Sequence, residues 1–408
     1  MATLAVVAVP SQGDAGEAPA IMPFGRFTWT HVKDGSHPTI SAPAVAVRPD
    51  GTPLLAWAAP GEAGKDGISV WVVAPSDRKA TPTRVNPEGL TADPIHQAPG
   101  LATGPEGEVF VSWSSVKPKP EGVLFASDLR VSRSGDGGRT FGAPVRVNDD
   151  RAISHSFEGM ARTPDGALLV AWIDSREGWQ KPGTYVARLV ENGARVDGTS
   201  QIGAETCVCC RVAVAAGGED RAAVLWRKDF PDQVRDMVIA SSKDDGRTFS
   251  TATRVHEDDW KMPACPHRGG SVAIDAKGRS YVAWYSEGKD DRPGIYFART
   301  DAEGVLSKPI RIDESTGSIP DHVRVAVDVK GMILVVWEDS TAVRRRILAR
   351  ASVDGGATFS PPQALSKAMK AHSPALAPRR PDGFVVAWQE EEFPAFKTVA
   401  QDLRVKGS

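Results

Sequence analysis

The chain has 408 residues, with 49 Lys and Arg against 51 Asp and Glu and a formal net charge of −2. That balance excludes an electrostatic surface for nucleic acid or an anionic membrane, and no run approaches the roughly 20 apolar residues of a spanning helix. The 39 Gly, 31 Pro and four Cys fit many short strands joined by turns, and are too poor in cysteine for a disulfide scaffold.

In chain order, residues 1–9 are apolar but lack a basic leader, and 12–20 are polar. Residues 1–23 are therefore expected to be an export-signal remnant or a disordered lead-in, which places the protein in the periplasm or outside the cell. From residue 24 onward one unit repeats. Trp57, Trp113, Trp172, Trp226, Trp284, Trp337 and Trp388 follow one another at 56, 59, 54, 58, 53 and 51 residues, the period of a four-stranded propeller blade. Each unit reads as a small-residue strand (44–47, 271–274, 374–377), a polar turn, often Asp-Gly, and a strand ending at the tryptophan. A third strand is typified by 295–299 and a fourth by 143–147. The tryptophans are expected to pack between blades. The last unit has three evident strands, so residues 25–32 are predicted to supply its fourth and to close the ring without an exposed edge. Residues 24–408 thus predict an all-β, seven-bladed β-propeller, with a six-bladed ring as the alternative.

The turn between third and fourth strands carries the most specific motif. It is Ser134-x-Asp136-x-Gly138-x-Thr140-Phe141, then Ser242-x-Asp244-x-Gly246-x-Thr248-Phe249, then Ser352-x-Asp354-x-Gly356-x-Thr358-Phe359. Asp and Ser accept backbone N–H bonds in such a turn, and Gly permits positive φ. The motif resembles the Asp box, or BNR repeat, of sialidase-like propellers, and the tryptophan repeat extends the resemblance over 24–404. The resemblance implies that the boxes are structural and lie on the face away from an active site. It also implies an arginine triad, a Tyr–Glu nucleophile pair and an Asp acid. No Arg-Ile-Pro motif stands near Arg26, and the four tyrosines, Tyr185, Tyr281, Tyr285 and Tyr296, all precede the last units. The sialidase catalytic set is therefore not recognisable, although a glycoside hydrolase or glycan-binding protein stays open. Arg324 is an available cation that reads more simply as strand-edge charge.

Ahead of each tryptophan stands a histidine or a cysteine. They are His37, His96, His155, Cys209, His267, His322 and His372, at offsets of 20, 17, 17, 17, 17, 15 and 16. Equivalent positions in a repeat fold predict a ring of imidazoles and thiols on one axis. His31 and His256 fall outside the pattern. The fourth unit is introduced by Cys207-x-Cys209-Cys210 and the fifth by Cys265-Pro-His267, which predicts four sulfurs and an imidazole across one seam, with His322 and His155 next to them.

Three chemistries fit that set. Thiolates with imidazole suit a metal, copper first and zinc second, for redox or metal handling. Two disulfides would instead staple the blades of a protein-interaction propeller that needs no cofactor. A thiol redox centre is the third. Asp174, Arg176, Arg227 and Glu287, on loops after tryptophans, are candidates to contact a small molecule, glycan or protein partner on the top face.

Overall fold

The computed structural model describes residues 19–31, 41–60, 67–74, 81–93, 98–289, 292–314, 316–392 and 395–406. His37 and His96 lie outside the described residues. Strand β1 (Ala20–His31) comes first. Blade 1 follows as β2 (Ala44–Val47), β3 (Pro53–Pro60), β4 (Ile68–Val73) and β5 (Thr83–Arg84), and blade 2 as β6 (Gly100–Thr103), β7 (Val109–Val116), β8 (Ser127–Ser134) and β9 (Val145–Arg146). Blade 3 is β10 (His155–Arg162), β11 (Leu168–Asp174), β12 (Gly183–Val190) and β13 (Arg195–Gly203). Blade 4 is β14 (Ala213–Gly217), β15 (Arg221–Phe230), β16 (Val234–Ser242) and β17 (Thr253–Arg254). Blade 5 is β18 (Ser271–Ile274), β19 (Ser280–Ser286), β20 (Gly294–Arg299) and β21 (Ile310–Arg311). Blade 6 is β22 (Ile319–Val327), β23 (Ile333–Ser340), β24 (Arg345–Ser352) and β25 (Gln363–Ala364). Blade 7 is β26 (Ala371–Pro378), β27 (Phe384–Glu392) and β28 (Ala395–Lys406), with β1 as its outermost strand.

All seven sheets are four-stranded and antiparallel, so the ring has seven blades and not six. Strand β1 runs against β28 from Ala20–Lys406 to His31–Phe396. It begins at Ala20, ahead of the boundary expected at residue 24.

The second strand of each blade is buried on both faces, because a blade lies against each side. In β11 and β19 every residue is buried, which is why these strands read as apolar runs instead of alternating. Seven apolar clusters fill the seven seams, and each holds one repeat tryptophan. Trp172 packs between blades 2 and 3, Trp226 between 3 and 4, Trp284 between 4 and 5, and Trp57 between 7 and 1. Trp113, Trp337 and Trp388 fill the other three seams.

The three Asp-box sequences occupy the β8–β9, β16–β17 and β24–β25 turns. In each, a carboxylate ties the turn together. Asp244 accepts from Ser242 Oγ (2.7 Å), from the Thr248 amide (2.9 Å) and from Thr248 Oγ1 (2.6 Å), while Ser242 Oγ accepts from the Gly246 amide (2.8 Å). Asp136 and Asp354 repeat the pattern around Thr140 and Thr358. Gly246 has φ +77, and a Cβ there would meet Leu169 of blade 3 at 2.5 Å, so the turn also sets how closely two blades approach.

Three of the inner strands carry a β-bulge near the channel mouth. The register of β10 slips between Ser156 and Gly159, that of β22 between Asp321 and Arg324, and that of β26 between His372 and Ala375. A residue at each bulge, Phe157 (φ 59), His322 (φ 50) or Ser373 (φ 56), has left-handed backbone, and His267 (φ 53) does the same just before β18. Such a bulge re-aims a side chain. Here it aims one per blade at the axis.

Candidate functional site at the channel mouth

The axial channel encloses about 400 Å³, and its lining includes Phe157, Cys209, His267, His322 and Ser373. These are the residues at the bulges and at their counterparts in blades 4 and 5. The expected ring of imidazoles is therefore incomplete. His155 stands two residues before Phe157 and His372 one before Ser373, and the intervening bulges leave both histidines off the axis. A second cleft of about 570 Å³ opens beside the channel, walled by Leu124, Phe125, Trp179 and Val208, and it shares Phe157, Cys209 and His267 with the channel. Trp179 and Leu124 are 68% and 70% exposed, unusual for such side chains in a chain with well-filled seams.

The cysteines do not gather as the repeat spacing predicts. Cys207, Cys209 and Cys210 converge, with Cys207 Sγ 3.8 Å from Cys209 Sγ and 3.3 Å from Cys210 Sγ, and all three sulfurs within 4.8 Å of one another. They are buried in the seam between blades 3 and 4, against Phe157, Ile173, Val212 and Trp226. Cys265 is exposed and outside this group, so the seam between blades 4 and 5 does not collect four sulfurs. The reason is local. The Cys207 amide donates to Arg227 O (2.8 Å), and the Val212 amide donates to Phe157 O of blade 3 (2.9 Å), which turns the whole 207–210 segment toward blade 3. All four cysteines are free thiols. Within the triad, the contacts with Cys209 and then Cys210 lower the Cys207 thiol, whereas burial pushes the Cys210 thiol up.

The histidines separate into two kinds. His155 is fully buried. Its Nδ1 donates to Ser127 O at 2.7 Å, and its Nε2 stands 3.6 Å from Asp174 Oδ2. Burial lowers its pKa despite that carboxylate. His322 places Nδ1 3.0 Å from Glu338 Oε2. Neither ring joins the thiols. His267 is exposed on the shared rim, tilted against Phe157 at 6.3 Å between centroids.

The four expected substrate contacts differ in the same way. Arg227 is fully buried and donates to Arg268 O (3.0 Å), Arg235 O (2.6 Å) and Tyr285 O (2.8 Å), with Trp260 beneath it at 4.8 Å. It clamps blade 4 to blade 5 and offers no donor to a top-face ligand, which corrects the loop-end reading. Asp174 is also fully buried, accepting from Trp172 Nε1 (3.1 Å) and from Arg176 Nε and Nη2 (2.9 and 2.7 Å). Arg176 in turn covers Tyr185 at 3.8 Å. Glu287 accepts from Tyr285 Oη at 2.6 Å and faces Arg268 Nη1 at 3.5 Å.

Of the channel's cations the sequence pointed only to Arg324, and there as strand-edge charge. Arg211, Arg268 and Arg324, from three successive blades, line it together. Arg268 is paired with Asp321 (3.0 Å) and stacks on Tyr285 at 4.0 Å. Arg211 donates Nε only to the Glu158 carbonyl (2.8 Å), and Arg324 donates Nη1 to the Val323 carbonyl (2.8 Å). Among the described residues neither makes a direct salt bridge, although the carboxylates of Glu158 and Asp321 act on Arg211 and Arg324 at longer range. Burial and the nearby Arg211 charge push Arg324 down to about 10. A signal was present: Arg211 directly follows Cys210, Arg268 directly follows His267, and Arg324 stands two after His322.

No protein-family model and no curated protein matches the sequence. Among solved structures the chain is similar to a protein of unknown function from Dyadobacter fermentans, at 15% identity over 81% of this chain and 98% of that one, with TM-score 0.56. It is similar to a Hadza microbial sialidase at 16% identity and TM-score 0.51, over 88% of this chain but only 65% of that one. It is also similar to an ulvan lyase bound to a GlcA(1-4)Rha3S saccharide, at 11% identity over 90% and 94% of the two chains, with TM-score 0.54. At these identities the likeness is one of propeller fold.

Proposed function

We propose that the protein is a glycan-binding propeller that takes an anionic saccharide at the mouth of its axial channel. The observation that carries this reading is the pair Arg211 and Arg324, two guanidiniums lining one channel that are not in direct salt-bridge contact with a carboxylate among the described residues, Glu158 and Asp321 acting on them only at longer range. Their mutual repulsion is relieved by a carboxylate or sulfate, which a guanidinium binds through two parallel N–H bonds. The exposed wall of Leu124, Phe125 and Trp179, in the cleft that adjoins the channel at Phe157, Cys209 and His267, suits the apolar face of a sugar ring. The sialidase and the saccharide-bound ulvan lyase support the substrate class. Hydrolysis by a tyrosine nucleophile is not part of the reading, because Tyr285, although its hydroxyl donates to Glu287, is only 1% exposed. An exported location, in the periplasm or outside the cell, is consistent with a glycan partner.

Calorimetry with uronate- or sulfate-bearing oligosaccharides and their neutral counterparts tests it. Binding of the acidic members is expected, weakened about tenfold or more in the Arg211→Met/Arg324→Met double variant, since a charge-assisted hydrogen bond contributes about 1.5–3 kcal/mol. Equal binding of neutral counterparts, or no binding of either class, sinks the proposal.

A second reading, a metal-binding propeller with copper ahead of zinc, is favoured by one specific observation: three buried sulfurs converge within 4.8 Å. Cys209 and His267 line the channel that the arginines line, so the two readings are compatible in space. Metal retained by the purified reduced chain supports it, and its absence after loading with copper and zinc counts against it.

A further inference from the structure

We propose that Cys207, Cys209 and Cys210 alone form a three-coordinate thiolate site for Cu(I), enclosed between blades 3 and 4, with Cys265 outside it. This rests on the metal-binding reading and commits it to an ion, a geometry and a ligand set. Three sulfurs each about 2.3 Å from one ion stand roughly 3.8–4.0 Å apart. The separations of 3.3 and 3.8 Å, with the third within 4.8 Å, need only small side-chain rotations to reach that triangle. The turn bearing them is pinned at both ends, by the Cys207 amide on Arg227 O and the Val212 amide on Phe157 O, so the backbone need not move.

The surroundings select the ion. Zn(II) favours four donors, yet among the described residues no carboxylate or imidazole joins the three sulfurs. The packing around them is Phe157, Ile173, Val212 and Trp226, none of which brings an oxygen ligand. Soft thiolates in such a pocket suit a soft monovalent ion of low coordination number. Each Cu–S bond forms as an S–H proton leaves to solvent, with no change in oxidation state. The guanidiniums of Arg227 and Arg235 act electrostatically on Cys210 and Cys207 and offset part of the charge so created. Cys209 reaches both the channel and the apolar cleft, alongside His267, which gives the ion a way in.

The test is an anaerobic titration of the reduced full chain with Cu(I) held by bathocuproine disulfonate, read by retained copper, X-ray absorption and thiol counting. One copper per chain, a shell of three sulfurs without nitrogen, and a single reactive thiol, Cys265, in the loaded chain are expected. Cys265→Ser should leave all but the thiol count unchanged, and Cys209→Ser should lose the ion. The wild-type absorption and thiol readouts hold even where a cysteine variant fails to fold. A four-donor shell that includes imidazole, loss of copper in Cys265→Ser, or preference for Zn(II) overturns the three-coordinate copper site while leaving metal binding intact. A reduced chain that retains neither Cu(I) nor Zn(II), or one whose Cys207 and Cys210 stay locked as a disulfide under reductant, overturns both.

Discussion

The Nη2 of Arg227 in blade 4 donates to the carbonyl oxygen of Tyr285 in blade 5 at 2.8 Å, across a seam in which both residues are buried. Its other two bonds, to Arg268 O and Arg235 O, fix the loop that carries Arg268 and the start of β16 in its own blade. Replacing it by methionine leaves three carbonyls short of a donor. Arg227→Met is expected to lose about 2–4 kcal/mol of stability, given about 1–3 kcal/mol for each unsatisfied buried group and partial relaxation. Denaturant unfolding measures this. An unchanged midpoint would show that the clamp is dispensable.

The Asp boxes are expected to act on stability alone. Asp244→Ala removes three hydrogen bonds from a half-exposed turn. A loss of about 1–2 kcal/mol follows from roughly 1 kcal/mol per bond, with water replacing part of it. Saccharide and copper binding, scored by calorimetry on the folded variant, should not change.

His322 and Glu338 make stability depend on pH. Partial desolvation opposes charge on His322, whose side chain is still 43% exposed, but its hydrogen bond to Glu338 and the carboxylates of Asp321 and Glu338 outweigh it and raise its pKa. Burial works against Glu338 as well, yet His322 holds it down at about 2, from a usual 4.5. The raised histidine stabilises fully below its ordinary 6.5 and loses that contribution as pH rises through its folded value. The depressed glutamate stabilises above 4.5 and loses its contribution as pH falls toward 2. The Tm difference between wild type and Glu338→Gln should therefore be widest between pH 4.5 and 6.5 and narrow on both sides. A difference that is flat from pH 3 to 9 would remove the ion pair as its cause.

Gly159 lets blades 3 and 4 touch at the channel. A Cβ there would meet Val212 O at 2.5 Å and Val214 Cγ2 at 3.1 Å. Gly159→Ala should cost about 1–3 kcal/mol, as overpacking does, and should speed the reaction of Cys209 with a thiol reagent by loosening the adjoining turn. Unaltered Cys209 reactivity at lowered stability would mean that the seam yields elsewhere.

Blade number was legible in the sequence because one large residue fills every seam. Trp172, Trp226 and the rest are the only side chains of that volume at a regular spacing, and packing leaves them no freedom to drift. The Asp boxes were legible for a similar reason, since each is a self-contained turn. The axis was not. Bulges at Phe157 and Ser373 shift the side chains that reach the channel by one or two positions, so His155 and His372 hold the right spacing and the wrong direction. The seam of the cysteines was equally hidden. Matched positions in adjoining units joined Cys207–Cys210 to Cys265, while the bond from Val212 to Phe157 O ties them to the preceding blade. Arg227 and Asp174 looked available as loop-end charges, but both are buried and fully bonded.

The pairing of β1 with β28 joins the first described strand to the last. A chain emerging from its N-terminus makes β1 first and must keep it unpaired until β28 exists, after six complete blades have been made. The edge of β28 is likewise bare until β1 arrives. Completion of the ring is thus a late, long-range event with a high loop-closure cost, and assembly can stall at a single point, one strand short of a circle.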